Sequence, residues 1–423
     1  MPTLSADNNG SYGGSLINEK YSPLRSITIA AGDKDFYVNL FDERIKTLTR
    51  QNIFPTKLTL ITSGLPAPDT FTSTPIVVIS SNRAEWMKSL FDNADTKNRK
   101  ARITGYNDPA TFSEGIIPWY APWRSQKILY IVVHSAEYGY YKKLLAGYVN
   151  VYVVGWQFPA TEGGLGPAGF GASRFAALEL IKYLKYQRAW AVDDNVVNIN
   201  GFPNTAATIE GLMTADFAGI GFSAATNNDV LVNVYKDSTF TTLDFDFSKQ
   251  KAGLLQQVVL WNVDYLKSRN LTFSPYFVTS NEDVSLSNYL QAFNYTQRII
   301  KGLSIIKMQP TNDTKNQGAL QLAGIRTRFQ KLLYNLEKNT QISINGTKAK
   351  NLSEVVTETI LPNAQNKGGG LNVRKKQAYE RTTQSMAIEQ VLAESVSKKW
   401  APPKTFNPYV EFAAGTMVEQ RAG

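Results

Sequence analysis

Residues 190–195 read Trp190-Ala191-Val192-Asp193-Asp194-Asn195, and this stretch gives the clearest indication of the fold. An apolar run from Ala189 to Val192 has the length of a buried strand, and two carboxylates and an amide follow it directly. A continuous apolar strand of this kind is typical of a parallel sheet covered on both faces. Ligands of such open sheets bind beyond the carboxyl ends of the strands. The stretch therefore predicts an α/β fold with a ligand site beside Asp193 and Asp194.

The segments before this strand alternate in the same way between apolar runs and helical patterns. The predicted strands cover residues 76–79, 128–133 and 151–154, and the predicted helices cover 84–91, 139–146 and 171–184. Because strand–helix–strand crossovers are right-handed, this order predicts a Rossmann-like sheet with helices on both faces. A strand over 273–278 and an amphipathic helix over 286–299 are predicted to complete the domain, which we place at residues 75–310.

Two further regions flank this domain. Residues 1–74 form an N-terminal extension, in which a strand, a helix and a second strand would supply either an extra β-α-β unit or a small separate domain. Residues 311–423 are predicted to be mainly helical, with helices over 319–336 and 373–399. This last region has 16 Lys and Arg against 9 Asp and Glu, so it carries +7 of the total net charge of +10. A concentrated positive charge favours an anionic partner such as nucleic acid.

The composition excludes several classes of chemistry. The 423 residues contain no cysteine and one histidine, His134. Disulfide scaffolds, thiolate metal sites, cysteine nucleophiles and two-histidine metalloprotease motifs are therefore excluded. Any catalysis must therefore use carboxylates, hydroxyls, amides, Lys, Arg or backbone groups. We interpret His134 as a hydrogen-bonded structural residue rather than a catalyst.

A glycine-rich segment leads into the helix predicted at 171–184. It begins at Glu162 and ends Gly169-Phe170-Gly171-Ala172-Ser173-Arg174. Glycines allow the backbone to approach a ligand closely, and free N–H groups at a helix N-terminus bind phosphate. Arg174 adds a bidentate phosphate donor in the first turn. The alternative is a surface loop, since the motif is neither a Walker A loop nor a dinucleotide fingerprint.

Polar residues also follow the two earlier predicted strands. Ser80-Ser81-Asn82-Arg83 comes after the strand at 76–79, and Glu137 lies shortly after the strand at 128–133. The carboxyl ends of neighbouring parallel strands meet at one edge of a sheet. We therefore expect these side chains to converge on a nucleotide.

Two acidic segments are candidates for metal binding and catalysis. Asp194 and Asn195 offer oxygen ligands that suit Mg2+ or Mn2+, although Asp193 or Asp194 can instead cap the next helix. Glu282 and Asp283 precede the helix predicted at 286–299. Either carboxylate can act as a general base, whereas Asp283 can also serve as a helix cap.

Taken in chain order, these motifs resemble GT-A type nucleotide-sugar glycosyltransferases. More narrowly, they are similar to the branch of base J glucosyltransferases, the phage glycosyltransferases associated with TET/JBP oxygenases, and the C-terminal domain of the GREB family. In that branch the loop reads roughly Gly-x-Gly-x-x-Arg, and the strand ends Asp-Asp-Asp or Asp-Asp-Asn. Residues 169–174 and 193–195 match these two patterns. The resemblance covers about residues 75–310 and implies a GT-A fold.

For the donor, the resemblance implies a nucleoside-diphosphate sugar, which we take to be a UDP-sugar. It implies that Ser80, Asn82 and Arg83 line the pocket for the base and ribose. Arg174 would meet the nucleotide or its diphosphate. Residues 193–195 would form a DxD-like motif that touches ribose or sugar hydroxyls and a divalent metal, either Mg2+ or Mn2+.

For the acceptor, the resemblance implies that Glu282 and Asp283 supply the base. Relatives in this branch point to a hydroxymethylated DNA base, which the positive charge of residues 311–423 also favours, or to protein Ser or Thr. A further alternative is a non-catalytic module that binds nucleic acid or protein on a transferase fold. The first residues lack the basic and apolar segments of a signal peptide, and no apolar run reaches the roughly 20 residues of a membrane helix. We therefore expect a cytoplasmic protein without a membrane partner.

Overall fold

The computed structural model describes the chain in separate ranges. They are residues 29–31, 57–66, 74–81, 83–92, 118–158, 169–199, 204–225, 250–251, 255–273, 277, 282–292, 295–307, 341–344, 350–351, 354 and 409–413. The helices predicted at 319–336 and 373–399 lie outside these ranges, and so does Asn82. Within the described residues, no helix combines the length and the apolar composition that would cross a membrane.

Strands and helices alternate through the centre of the chain. The strands are β1 (Ile29–Ala31), β2 (Lys57–Ile61), β3 (Ile76–Ile79), β4 (Leu129–His134), β5 (Val151–Gln157), β6 (Arg188–Asp193), β7 (Val196–Ile199), β8 (Gly219–Ala225), β9 (Gln250–Lys251), β10 (Val258–Asn262), β11 (Gln297–Lys307), β12 (Gln341–Ile344), β13 (Lys350–Asn351) and β14 (Tyr409–Ala413). The helices are α1 (Ala84–Asp92), α2 (Pro122–Ser125), α3 (Ser135–Leu145), α4 (Phe170–Tyr183), α5 (Asn204–Leu212), α6 (Val263–Ser268) and α7 (Glu282–Ala292).

Four parallel strands form the centre of a mixed sheet in the order β5-β4-β3-β6. The chain runs from β3 through α1 to β4 and through α3 to β5, and then returns through α4 to β6 on the other side of β3. The strand order therefore reverses between β3 and β6. Ile79 pairs with Asp193 at this point, so the polar residues after both strands start side by side. A reversal of this kind opens a crevice at the carboxyl edge of the sheet.

Helices cover both faces of this sheet, as predicted. Ile76 and Val78 of β3 belong to one continuous core with Met87 of α1 and Tyr138 of α3. The α4 helix contacts β3 and β4 but contributes no residue to that core, so it lies on the opposite face. Its buried apolar side chains, such as Phe175, form the second layer. The mixed α/β architecture of the prediction is confirmed.

The prediction was wrong for the helix at 286–299. The α7 helix begins earlier, at Glu282, and ends at Ala292, and residues 297–307 form β11. Because β11 pairs with β8 in parallel and with β7 and β9 in antiparallel orientation, the β-branched residues of this segment are taken into the sheet. Asp283 consequently lies inside the first turn of α7 and does not cap it.

Strands from both flanking regions join the main sheet. β2 pairs with β5 in antiparallel orientation, and β14 pairs with β2 in parallel. The β1 strand pairs with β12 in a separate three-stranded sheet. The described residues of the C-terminal region are therefore mostly strands. The domain boundaries at 74 and 310 stay a prediction, but a truncation before β14 would remove a strand of the main sheet.

We expect Gly155→Ala to lower the free energy of unfolding by about 1–3 kcal/mol, the usual cost of overpacking. A Cβ at Gly155 would lie 2.8 Å from Ile61 Cδ1 and 3.2 Å from Tyr138 Cβ, and both neighbours are buried. Gly211→Ala in α5 is the matched control, because no described atom lies within 4 Å of its Cβ position. The control should raise stability by about 0.5–1 kcal/mol. Urea denaturation of both variants tests this, and equal effects would contradict the close packing at Gly155.

Candidate functional site

Asp194 is the centre of one charged cluster at the edge between β3 and β6. Its side chain accepts a hydrogen bond of 2.7 Å from Ser80 Oγ and forms an ion pair with the Arg83 guanidinium. Asp194 is buried and Arg83 is largely buried. Two motifs that lie more than a hundred residues apart in sequence are therefore joined, as expected from the strand order.

Two tyrosines hold this cluster in place. The hydroxyl of Tyr141 lies 2.8 Å from Ser80 Oγ and accepts the backbone N–H of Arg83 at 2.7 Å. Tyr120 donates to the backbone carbonyl of Asp194 at 2.6 Å. Burial raises the pKa of both phenols well above the usual value, so they remain hydroxyl groups. Neither tyrosine is among the site residues predicted from the sequence.

Arg174 is the centre of a second cluster, on the α4 side. Its Nη2 binds both carboxylate oxygens of Asp193, at 3.0 and 3.1 Å. Its Nη1 binds Glu282 Oε1 at 2.6 Å and Asp283 Oδ2 at 3.1 Å. One guanidinium thus connects the first turn of α4, the end of β6 and the first turn of α7. Burial opposes the charge on Arg174, but Asp193, Glu282 and Asp283 raise its pKa above the usual value.

Burial shifts the pKa of acidic side chains in both clusters. Burial raises the pKa of Glu282 to about 7, the positive charge of Arg174 opposes this shift, and the negative charge of Asp283 adds to it. Glu282 is 1% exposed, and its Oε2 has no hydrogen-bond partner among the described residues. Burial also raises the pKa of Asp194, against the effect of Arg83. Glu282 therefore can take up and release a proton near neutral pH.

We expect the stability of the protein to decrease with rising pH because of Glu282. The pKa is about 7 in the folded chain against 4.5 for the ordinary side chain, so the folded state binds more protons between these values. The contribution is complete below pH 4.5 and is lost as the pH rises through 7. At about 1.36 kcal/mol per pKa unit, the shift corresponds to a decrease of about 3 kcal/mol in the free energy of unfolding. Urea denaturation from pH 4 to 8 should show this decline in the wild type and not in Glu282→Gln.

The matched control for that series is Glu85→Gln, because Glu85 is exposed on α1. The control should follow the pH dependence of the wild type. A Glu282→Gln profile parallel to the wild-type profile would contradict the buried, protonatable state of Glu282.

The adjacent carboxylates Asp193 and Asp194 do not act as one pair. Side chains of successive strand residues point to opposite faces, and each of these carboxylates faces a different arginine. Both oxygens of Asp193 bind Arg174, and those of Asp194 bind Arg83 and Ser80. These paired carboxylates do not fit a divalent metal. Asn195 Oδ1 is buried without a described hydrogen-bond partner, and no three His, Asp or Glu residues of the described ranges are grouped to hold a metal.

The remaining predicted site residues lie around the two clusters. Ser81 Oγ donates to Glu137 Oε1 at 3.3 Å. The Gly169 carbonyl accepts the backbone N–H and the Oγ of Ser173, both at 3.0 Å, and so fixes the start of α4. Gly171 is buried in the first turn of that helix.

His134 caps α3. Its Nδ1 accepts the backbone N–H of Ala136 at 3.2 Å, and its ring packs edge-to-face on Trp156 with the ring centres 4.9 Å apart. The side chain is buried, which agrees with a structural role.

A small cavity of about 30 Å3 adjoins the Arg174 cluster, between α4 and the strands β6 and β10. Its walls are mostly apolar. The lining residues are Ile79, Arg174, Ala177, Leu178, Ala191, Val192, Asp193, Leu255, Gln256, Gln257, Val259, Trp261 and Phe273.

Comparison with known proteins gives little similarity. No family model matches the chain, and no curated protein matches it. Two solved structures of S. aureus TarS, residues 1–349, are similar at 10% sequence identity over 77% of this chain. The first has 83% of its chain covered and a TM-score of 0.33; the second, in complex with UDP-GlcNAc, has 82% and 0.34. At these TM-scores the likeness supports no argument about function.

Proposed function

We propose that this protein is a glycosyltransferase that uses a nucleoside-diphosphate sugar, specifically a UDP-sugar. One observation carries the proposal: two arginine and four carboxylate side chains come together where the strand order of the sheet reverses. They come from the four motifs on which the family resemblance rests, and they join in two ion-paired clusters. A crevice at such a reversal is the usual place for a nucleotide in an open α/β sheet.

The proposed reaction needs two charge-dependent steps. The oxygen of the acceptor hydroxyl forms a bond to the anomeric carbon, and the bond from that carbon to the diphosphate breaks, which releases UDP. Arg83 and Arg174 would stabilise the negative charge that develops on the diphosphate. Glu282 or Asp283 would accept the proton of the hydroxyl, and the pKa of Glu282 near 7 suits a general base.

A panel of UDP-, GDP- and CMP-sugars tests the donor. Donor hydrolysis and calorimetric binding should be seen with a UDP-sugar, and Asp193→Asn should reduce hydrolysis at least about 100-fold if Asp193 contributes as strongly as a typical transition-state contact. Asp264→Asn is the control, because Asp264 is an exposed acidic residue in the first turn of α6. The proposal fails if no donor is bound or hydrolysed, and in that case the alternative of a non-catalytic binding module applies.

For the acceptor, we propose a hydroxymethylated DNA base, with protein Ser or Thr as the alternative. The support is the excess charge of +7 in residues 311–423. A triple substitution of Arg374, Lys375 and Lys376 to Gln is the right test, because a deletion would also remove β14 from the sheet. Each lost phosphate contact should reduce the slope of log affinity against log salt by about 0.9. Duplex DNA binding that does not depend on salt would contradict the DNA acceptor.

A further inference from the structure

The guanidinium of Arg174 is already occupied by carboxylates in this structure. Its Nη2 binds both oxygens of Asp193, and its Nη1 is shared between Glu282 Oε1 at 2.6 Å and Asp283 Oδ2 at 3.1 Å. The described members of this cluster are one cation and three carboxylates, so their summed charge is negative when all three are ionised. A diphosphate that binds Nη1 or Nη2 therefore competes with these carboxylates and adds further negative charge to the cluster.

Glu282 is the carboxylate of the cluster whose negative charge is least well solvated. Its side chain is 2% exposed, against 14% for Asp283 and 17% for Asp193. Its Oε2 accepts no hydrogen bond from the described residues. A buried carboxylate with an unpartnered oxygen is stabilised when it takes up a proton. Glu282 is therefore the member of the cluster that is neutralised most readily.

The charged groups that face Glu282 come from three elements. Among the described residues they are Arg174 of α4, Asp193 at the end of β6 and Asp283 beside Glu282 in α7. Burial raises the pKa of Glu282 to about 7, the charge of Arg174 opposes this shift, and the two aspartates add to it. A diphosphate on Arg174 would offset the opposing positive charge and bring negative charge of its own. Both changes raise the pKa of Glu282 further.

We propose that the Arg174 cluster binds the diphosphate of the donor together with a proton from solvent, and that Glu282 holds this proton. The proposal rests on the proposed function and deepens it, because it gives the two neighbouring acidic residues different roles. The proton forms an O–H bond on the Glu282 carboxylate, so the cluster loses one negative charge as the diphosphate arrives. Asp283, whose side chain is more exposed, then accepts the proton of the acceptor hydroxyl.

This coupling makes donor affinity depend on pH in one direction. Well below pH 7 Glu282 is already protonated and the affinity is constant, whereas above pH 7 the affinity falls as the pH rises. At pH 8 only about a tenth of the free protein carries the proton, so the wild type should bind about 10-fold more weakly than its protonated form. Glu282→Gln imitates the neutral acid. It should therefore bind the donor about 10-fold more tightly than the wild type at pH 8 and equally well at pH 6.

Calorimetric titration of the full chain with UDP-glucose and UDP-GlcNAc tests the proposal. The diphosphate of these probes does not titrate near neutral pH, so any proton taken up goes to the protein. Titrations at pH 8 in two buffers of different ionisation enthalpy should show uptake of about one proton by the wild type and none by Glu282→Gln. Glu85→Gln is the matched control, since Glu85 is exposed on α1, and it should behave as the wild type. Thermal denaturation confirms that both variants are folded.

The outcomes separate this proposal from the proposed function. Donor binding without proton uptake, or with the same uptake in Glu282→Gln, overturns the proton coupling and leaves the glycosyltransferase proposal standing. If neither UDP-sugar binds, the glycosyltransferase proposal fails, and sulfate then tests the coupling as an anion that does not titrate near neutral pH. Sulfate should stabilise the wild type against urea more at pH 6 than at pH 8, and Glu282→Gln equally at both. Because sulfate also stabilises proteins unspecifically, the same pH dependence in both proteins overturns the coupling.

Discussion

Replacing Arg174 by alanine is expected to lower the free energy of unfolding by about 3–5 kcal/mol, the usual cost of removing one partner of a buried ion pair. The guanidinium is the shared partner of Asp193, Glu282 and Asp283, and its side chain is 15% exposed. Without it, Asp193 and Asp283 would lose their shared cation in a mostly buried position, and Glu282 would take up a proton because Arg174 opposes the burial that raises its pKa. The same change should abolish donor hydrolysis, because the proposed base and the diphosphate site both adjoin this group.

A second substitution separates charge from packing in this prediction. Asp193→Asn in the Arg174→Ala background should recover part of the lost stability, since both oxygens of Asp193 bind Arg174 and one fewer carboxylate is then left unpaired. Arg269→Ala is the control: its exposed guanidinium stacks 3.7 Å from the Tyr265 ring centre and should contribute about 0.5–1 kcal/mol. Urea denaturation measures all three variants. A loss at Arg174 no larger than the loss at Arg269 would refute the view that this network joins α4, β6 and α7.

Much of the fold could be predicted because its strands carry strong local signals. The continuous apolar runs of β3, β4 and β6 were placed within a residue or two of their observed ends, since burial on both faces demands such runs. The β8 strand was not predicted, because Gly219 and Gly221 have low strand propensity. Their small size is required by Trp261 and Leu255, which occupy the space of a Cβ at these positions. No local pattern contains that information.

The residues that belong to the candidate site could be predicted from the sequence, but the pairs that they form could not. The motifs that contain Ser80, Asp194 and Arg174 were expected at one edge, and the structure joins them there in two clusters. Which carboxylate binds which arginine depends on strand alternation and on contacts between residues 108 positions apart, as for Arg174 and Glu282. The cavity was missed because a void is formed by several segments together and leaves no pattern in any one of them.

Breaking the Arg83–Asp194 pair is expected to have an effect of similar size. Asp194→Ala should cost about 3–5 kcal/mol, because it leaves the Arg83 guanidinium, 16% exposed, without its carboxylate. It also removes the acceptor of Ser80 Oγ. Arg83→Met should cost a comparable amount by leaving Asp194 charged and buried. The double variant leaves no unpaired charge, so it should cost less than both single changes together.

The coupling energy of this double-mutant cycle should be about 1–3 kcal/mol, as is typical of residues in direct contact in one network. The Lys88–Asp92 pair of α1 is the matched control, because it is an i,i+4 ion pair whose side chains are 40% and 50% exposed. Its cycle should give about 0.3–0.5 kcal/mol. Both cycles can be measured by urea denaturation at pH 7 and repeated in 1 M salt, which screens the exposed pair more strongly. If the two coupling energies are equal, Asp194 is not held by a buried charge, and the alignment of Ser80, Arg83 and Asp194 must rest on the hydroxyl groups of Tyr120 and Tyr141.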